Sequence, residues 1–167
     1  GLDGGASMGI HESQSRFYEN IVGRSKEFLN FILPHIKEKF PSLSDITLDE
    51  FYEGVNCVKP SLIRIEGDEL TYSLHIIIRY EIEKALINGE IEVGDLPKVW
   101  NKKYEEYLGV TPQDDEEGVL QDMHWSAGNI GYFPSYALGN LYGGQFLNKM
   151  LKDNPSVMSE LANGDLT

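Results

Sequence analysis

Apolar residues recur at helical spacing along most of the chain. A stripe with spacings of seven and four residues comprises Ile10, Phe17, Ile21, Phe28, Ile32, Ile36 and Phe40. This pattern predicts a long helix beginning at Gly9. Pro34 lies inside the pattern and is expected to kink the helix or divide it in two, and Pro41 is expected to end it.

The middle of the chain predicts two more helices. Thr47 and Glu50 have the spacing of a capping box, so a short helix should follow to about Val55. A stronger helix is expected from about Glu69 to Asn88, with Gly89 as its C-cap. Its predicted buried face comprises Leu70, Leu74, Ile77, Ile78, Ile82, Ala85 and Leu86. Because this helix is apolar nearly all round between Leu74 and Ile78, it is expected to be central.

A further helix is predicted to begin at Asp95 and end before Gly109. One or two helical turns are expected within 118–125, followed by a turn-rich loop at 126–131.

Phe133 and Pro134 open the next predicted helix, which runs to about Lys152. Its apolar set is Tyr136, Leu138, Leu141, Phe146, Leu147 and Leu151. A last helix is expected from Asn154 and Pro155 to about Ala162. Since strand-like alternation is poor, the sequence predicts an all-α fold, with residues 1–167 forming a single helical domain.

Charge narrows the possible functions. The 167 residues carry 27 acidic and 14 basic side chains, a formal net charge of −13. This excess of acid argues against nucleic acid and against an anionic membrane surface as partners. The single Cys57 rules out an internal disulfide and, with the absence of a signal segment, predicts a cytoplasmic protein.

The first polar cluster that a helical core does not need is at His11 and Glu12. It begins like the zinc-binding pattern H-E-x-x-H, but position 15 is Ser15 and not a second histidine. By spacing alone, Glu12 is equally a surface carboxylate that pairs with Arg16 one helical turn later.

Three further polar clusters each have a structural alternative. Arg64 lies between two apolar residues, where it has a function, caps a helix C-terminus or pairs with Asp68. Another segment comprises Gln121, Asp122, His124 and Trp125. Its polar side chains are alternatively a satisfied network beneath the tryptophan. Tyr132 is alternatively a core aromatic residue with its hydroxyl at the surface.

Taken together and in this order, the clusters resemble the motifs of the carboxypeptidase Taq family of metallocarboxypeptidases. The matching segments are His11-Glu12-Ser13-Gln14, Ile63-Arg64 with Asp68, Gly118-x-x-Gln121-Asp122-x-His124-Trp125, and Gly131-Tyr132-Phe133-Pro134. The similarity covers essentially the whole chain. One departure is Gly67, where the family usually has alanine; it removes only a methyl group.

The resemblance implies a helical zincin-like peptidase that removes single residues from the free C-termini of peptides. It implies a divalent metal (zinc, or cobalt) and usually a homodimer. Glu12 is then the third metal ligand, beside two histidines of an H-E-x-x-H helix. The implied substrate-binding residues are Arg64, Gln121, Asp122 and Trp125, and the implied catalytic residues are Tyr132 and His124.

The chain itself contains no H-E-x-x-H. Its histidines are His11, His35, His75 and His124, and no two have that spacing. We therefore expect the chain to be the C-terminal catalytic portion of a longer enzyme, inactive and without bound metal when isolated. The alternative hypothesis is a non-catalytic helical protein-interaction module.

Overall fold

Helices are the regular secondary structure of the described part of the protein. The computed structural model describes residues 6–165, and within that range it contains no strand. The α-helices are α1 Met8–Arg16, α2 Lys26–Lys39, α3 Leu48–Val55, α4 Tyr72–Ile87, α5 Leu96–Leu108, α6 Pro134–Asp153 and α7 Val157–Ala162. A π-helical segment spans Phe17–Val22, and 3-10 turns span Pro41–Leu43, Arg64–Glu66 and Val93–Asp95. The all-α prediction is confirmed. Among residues 6–165, no helix combines the length and the apolar character needed to cross a membrane.

The chain forms two compact units. Of the described residues, 6–57 and 138–165 belong to the first unit, and 58–137 form the second. Helix α6 contributes residues 134–137 to the second unit and residues 138–153 to the first. The organisation of 1–167 as a single domain stays a prediction, since two compact units can belong to one domain.

The first long helix divides at a different place from the one predicted. α2 continues unbroken through Pro34. The break falls instead at Gly23–Ser25, after the backbone widens into π-helical geometry, where the Gly23 N–H donates to the Tyr18 carbonyl. Ser25 has extended backbone angles, and its hydroxyl accepts from the Phe28 N–H, so it caps α2. An N-cap bond therefore sets this boundary, and the proline alone does not.

The buried face of α4 also differs from the prediction. Ile78 and Ile82 are fully buried, but Leu70 is 71% exposed and Ile77 is 40% exposed. His75 and Arg79, which the predicted buried face did not include, have no exposed surface. Hydrogen bonds satisfy the Arg79 side chain inside the core, which makes its burial tolerable.

The core of the second unit lies between α4 and α5. Its buried members are Ile78, Ile82, Trp100, Tyr104 and Leu108. A smaller cluster joins Tyr72, Ile76 and Phe133. These two clusters anchor the residues on either side of the long connection from α5 to α6.

That connection, residues 109–133, forms hydrogen-bonded turns and contains no helix, so the one or two helical turns predicted within 118–125 are not formed. Side chains replace regular backbone bonding here. The Gln121 side-chain amide donates to the carbonyls of Leu62 and Glu117. The next residues, 122–125, are thereby held against the second unit.

Candidate active site

Glu12 lies in the first unit, on α1. The N-terminus of this helix is capped by Ser7, whose hydroxyl accepts from the Ile10 N–H. Glu12 is only 7% exposed, so the expectation that it is solvated is wrong. Its Oε2 accepts a hydrogen bond of 2.9 Å from the Ser15 hydroxyl. Ser15, which stands where H-E-x-x-H would have its second histidine, thus donates a hydrogen bond to the Glu12 carboxylate.

His11 directly precedes Glu12 on α1. The imidazole is 66% exposed, yet its Nδ1 lies 3.8 Å from Glu12 Oε1. Adjacent side chains on a helix diverge by about 100°, yet these two groups lie close together. Arg16 donates to Glu19 at 2.9 Å and to Asn140 at 2.8 Å.

A close approach between α6 and α1 fixes the backbone of Glu12. A Cβ atom built on Gly139 would lie 2.8 Å from the Glu12 carbonyl carbon and 2.9 Å from its oxygen. A side chain at this position would therefore push α1 away. The sequence analysis treated α6 as an apolar face and missed that a glycine makes this contact.

Arg64 lies in the second unit and pairs with Asp122. Its Nη2 donates to Asp122 Oδ1 at 2.7 Å, and its Nε donates to the same oxygen at 3.0 Å. Nη1 donates to the Tyr72 hydroxyl at 2.8 Å. The guanidinium carbon lies 4.8 Å from the centre of the Tyr136 ring. The alternative that Arg64 pairs with Asp68 is therefore wrong, because Asp122 takes that place and Asp68 accepts from Thr71 and from the Lys59 N–H.

A second arginine, which the sequence analysis missed, shares the same carboxylate. Arg79 Nε donates to Asp122 Oδ2 at 2.6 Å, and its Nη2 donates to Gln121 Oε1 at 2.8 Å. Gln121 Oε1 also accepts from the backbone N–H of Arg64 at 2.9 Å. The structure therefore brings Arg64, Gln121 and Asp122 together, as their shared prediction as binding residues requires. His75, Arg79 and Glu83 recur at every fourth position of the predicted helix, but this spacing alone does not show that they are buried.

The two guanidinium groups control protonation in this cluster. Burial disfavours the charged form of Asp122, but the hydrogen bond from Arg64 and both guanidinium charges outweigh it and hold the pKa of Asp122 below its ordinary value. Burial opposes the charged form of Arg64 as well, yet its bond to Asp122 raises the pKa of the guanidinium. For His75, burial and then the charges of Arg79 and Arg64 lower the pKa to about 4. At neutral pH the hydrogen-bonded set thus has two positive charges and one negative charge.

The remaining predicted residues form an aromatic cluster in the second unit. The His124 ring lies 5.5 Å from the Tyr132 ring and 4.3 Å from the Phe133 ring, centre to centre. His124 Nε2 and the Tyr136 hydroxyl are 3.0 Å apart, and His124 Nδ1 is 3.8 Å from Asp122 Oδ1. Trp125 packs edge-on against Phe133 and against Trp100. His124 is therefore placed between the acidic residue and the tyrosines.

A groove of about 300 Å³ lies elsewhere in the second unit. It is lined by Tyr80, Glu83, Lys84, Ile87, Asn88, Ile130, Gly131 and Pro134, none of which was predicted as a site residue. Glu83 is buried and accepts from the Gly131 N–H. Because Gly131 precedes Tyr132, this bond anchors the loop that carries the predicted catalytic tyrosine.

Metal binding needs three or more suitable side chains close together. Within residues 6–165 no such group of histidine, cysteine, aspartate and glutamate is present. Glu12 fits one ligand of such a set, since it is a buried carboxylate held in place by a serine. The second-unit residues are guanidinium donors and their partners, which suit an anion and not a cation.

Comparison with known proteins identifies relatives over nearly the whole chain. The family model described as carboxypeptidase Taq (M32) metallopeptidase matches residues 1–167. Carboxypeptidase 1 of Bacillus subtilis is 57% identical over 98% of this chain, which corresponds to 33% of that protein. Thermostable carboxypeptidase 1 of Thermus thermophilus is 50% identical over 95% of this chain and 31% of its own length.

The fold agrees with that of a solved relative. The structure of a Pyrococcus furiosus carboxypeptidase superposes with a TM-score of 0.90 at 46% identity, covering 97% of this chain and 33% of that one. The chain therefore spans about a third of the length of the relatives that it matches.

Proposed function

Because this chain belongs to the carboxypeptidase Taq (M32) family of metallopeptidases, we propose that the full-length protein carrying it is a metal-dependent carboxypeptidase that removes the C-terminal residues of peptides. In this proposal the chain supplies one metal ligand, Glu12, and the group that binds the substrate carboxylate, Arg64. The metal is zinc or cobalt, and the full-length protein is a homodimer in the cytoplasm.

The observation that carries the proposal is the way the Arg64 guanidinium is held. An exopeptidase has to recognise a free carboxylate, and a planar guanidinium does so with two parallel N–H donors. Asp122 occupies the Nε side of the group and Tyr72 bonds to Nη1. Each terminal nitrogen carries two N–H groups, so one on each is available for a substrate carboxylate.

Charge in the second unit favours the same ligand. Two guanidinium groups share one carboxylate, and His75 is neutral at pH 7 because its pKa is about 4. The hydrogen-bonded set therefore has one positive charge without a partner in it. A peptide carboxylate would neutralise that charge, whereas an amide would not.

The chain's other residues have positional roles in the proposed reaction. A metal held by Glu12 and two histidines would polarise the scissile carbonyl and lower the pKa of a water molecule. Tyr132 donates its hydroxyl proton in a hydrogen bond to the oxyanion that develops at that carbonyl. His124 lies between Asp122 and the tyrosines and orients the Tyr132 ring. Gln121 and Trp125 form part of the surface that binds the substrate peptide.

The proposal is tested with the purified full-length protein and a peptide ending in a free carboxylate. Stepwise loss of single residues, abolished by a chelator and restored by zinc or cobalt, is the expected result. Glu12→Gln should lose the metal and the activity together, because a neutral amide is a poor ligand. Glu19→Gln, which changes a partly exposed carboxylate seven residues later, should keep both. Release of internal fragments would contradict the proposal, as would activity unaffected by chelation.

A further inference from the structure

We propose that Arg79 is a positioning residue for substrate binding, which acts by fixing the orientation of Arg64 through Asp122 and Gln121. The inference deepens the proposed function of Arg64 and rests on it. It concerns a residue that no motif resemblance singled out.

All three nitrogens of the Arg79 guanidinium group donate hydrogen bonds. Besides its bonds to Asp122 and Gln121, its Nη1 donates to the His75 carbonyl at 2.8 Å and to the Tyr104 hydroxyl at 3.0 Å. The guanidinium carbon also lies 4.5 Å from the centre of the Trp100 ring. Arg79 has no exposed surface. Its orientation is therefore fixed by two neighbouring helices, α4 and α5.

Two residues, Asp122 and Gln121, each connect Arg79 to Arg64 by hydrogen bonds. Asp122 Oδ2 is bound to Arg79 and Oδ1 to Arg64, so the carboxylate cannot rotate without breaking one of the pairs. Gln121 Oε1 accepts from Arg79 Nη2 and from the Arg64 backbone N–H. Arg79 thus determines both where the Arg64 backbone lies and which edge of its guanidinium faces Asp122.

The consequence is a defined direction for the remaining N–H groups of Arg64. With Nε and one Nη2 proton directed at Asp122, the other Nη2 proton points away from it. If Asp122 were free to turn, Arg64 would bind substrate in several geometries, and less tightly. A lysine at position 79 retains the positive charge but cannot donate from a rigid planar fork to two acceptors.

The test uses Arg79→Lys in the full-length protein, with peptides ending in a free carboxylate. We expect KM to rise roughly 10-fold to 100-fold, the effect typical of removing a residue that orients a ligand, while kcat changes little. Ile82→Ala is the matched control, because Ile82 lies in the same helix, is fully buried and belongs to the apolar core. It should lower the unfolding temperature and leave KM unchanged. An unchanged KM in a folded Arg79→Lys protein would overturn the inference.

If the Arg79→Lys protein does not fold, a second variant tests the same inference. Tyr104→Phe removes one hydrogen bond to Arg79 and keeps the guanidinium in place. KM should then rise several-fold, in the same direction, and an unchanged KM would count against the inference.

A measurement independent of activity separates this inference from the proposed function. The Arg64 Nε–H signal in an NMR spectrum is assigned by its loss in Arg64→Lys, and its exchange with water is compared in wild-type and Arg79→Lys protein. We expect slow exchange in the wild type and a clear acceleration in the variant, and equal exchange rates would overturn the positioning role. If the wild-type protein cleaves no peptide, the proposed function fails, and the exchange measurement still decides whether Arg79 holds Arg64.

Discussion

At the scale of single residues, the account depends most on Arg64. Its pairing with Asp122 orients the guanidinium, and the proposed function assigns its remaining N–H groups to a substrate carboxylate. We expect Arg64→Ala in the full-length protein to lower kcat/KM for free-carboxylate peptides. The loss should correspond to about 2–3 kcal/mol of transition-state stabilisation, the value of a charge-assisted hydrogen bond. The ratio of kcat/KM for free and amidated peptides checks this. A ratio that is the same in wild-type and variant proteins would assign Arg64 to structure alone.

Tyr132 carries a prediction of a different kind. If its hydroxyl binds the oxyanion, it acts in the transition state and not in the ground state. Tyr132→Phe should therefore lower kcat by about 10²–10³ with little change in KM. Tyr52→Phe is a control, since this tyrosine belongs to α3 in the first unit. A Tyr132→Phe protein with wild-type kcat would return this residue to its structural interpretation as a packed aromatic side chain.

His75 predicts how stability depends on pH. Its pKa is lowered to about 4 in the folded state, from an ordinary value of 6.5, so the unfolded chain binds more protons between these two values. Stability should rise as pH increases from 4 to 6.5, by up to about 3 kcal/mol. Asp122, whose pKa is also lowered, contributes stability that is lost at still lower pH, as its carboxylate becomes protonated. Both groups therefore make the folded protein more stable as pH rises.

Urea unfolding of the polypeptide 1–167 at several pH values measures this dependence. His75→Asn should flatten the slope between pH 4 and 6.5, because the titrating group is gone. The control is His35→Asn, which changes an exposed histidine of α2, and it should keep the wild-type slope. A His75→Asn protein with the wild-type slope would show that other groups cause the dependence.

At the scale of helices, α1 and α6 meet at a glycine. Gly139→Ala would place a Cβ atom 2.8 Å from the Glu12 backbone, where neither helix has a flexible side chain to move. We expect a destabilisation of about 1–3 kcal/mol together with weaker metal binding by the full-length protein. Gly144→Ala is a matched control in the same helix, since nothing lies within 4 Å of its added Cβ. It should stabilise the helix by about 0.5–1 kcal/mol. Equal effects of the two substitutions on stability and metal content would contradict this account of the contact.

The helices that local signals define were predicted well. The Thr47 and Glu50 capping box, and Gly109 with its positive φ of 68°, mark boundaries that depend only on residues close in sequence. The break between α1 and α2 was misplaced, because a proline is a conspicuous signal and a serine N-cap is a weak one. The face of α4 was misassigned because its buried side includes a charged residue, Arg79, whose partners Asp122 and Gln121 are 43 and 42 residues away in the sequence.

The sequence predicted only those candidate-site residues that belong to family motifs. Arg64, Gln121 and Asp122 were named from their resemblance to family motifs, and the structure places them in one hydrogen-bonded cluster. Arg79 and Glu83 were missed, since spacing alone cannot distinguish a charged residue buried by distant partners from one on a solvated face. Their partners become visible only when the chain is folded.

At the scale of the whole molecule, the chain spans about a third of the length of its relatives. Glu12 is one carboxylate, and no group of three metal-binding side chains occurs within residues 6–165. We therefore expect the polypeptide 1–167 alone to fold into helices, bind no stoichiometric zinc and hydrolyse no peptide. Circular dichroism, dialysis against zinc with metal analysis, and a peptide assay check these outcomes. One tightly held ion per chain would show that groups not recognised here complete a site.

The polypeptide 1–167 is also expected to self-associate. Large apolar side chains are exposed on both units, including Ile77, Tyr80 and Ile87 on α4 and Leu141 on α6. Exposed apolar surface favours association between copies in water. Light scattering over a range of concentrations measures this, and a monodisperse monomer at high concentration would contradict it.

The most direct test of the central claim compares two peptides of identical sequence, one ending in a free carboxylate and one in an amide, in the presence of the metal-loaded full-length protein. Mass spectrometry follows their lengths. The account predicts that the free peptide shortens by one residue at a time from its C-terminus while the amidated peptide stays intact, because only a carboxylate can pair with Arg64. Cleavage of both peptides at equal rates, or cleavage at internal bonds, would contradict it.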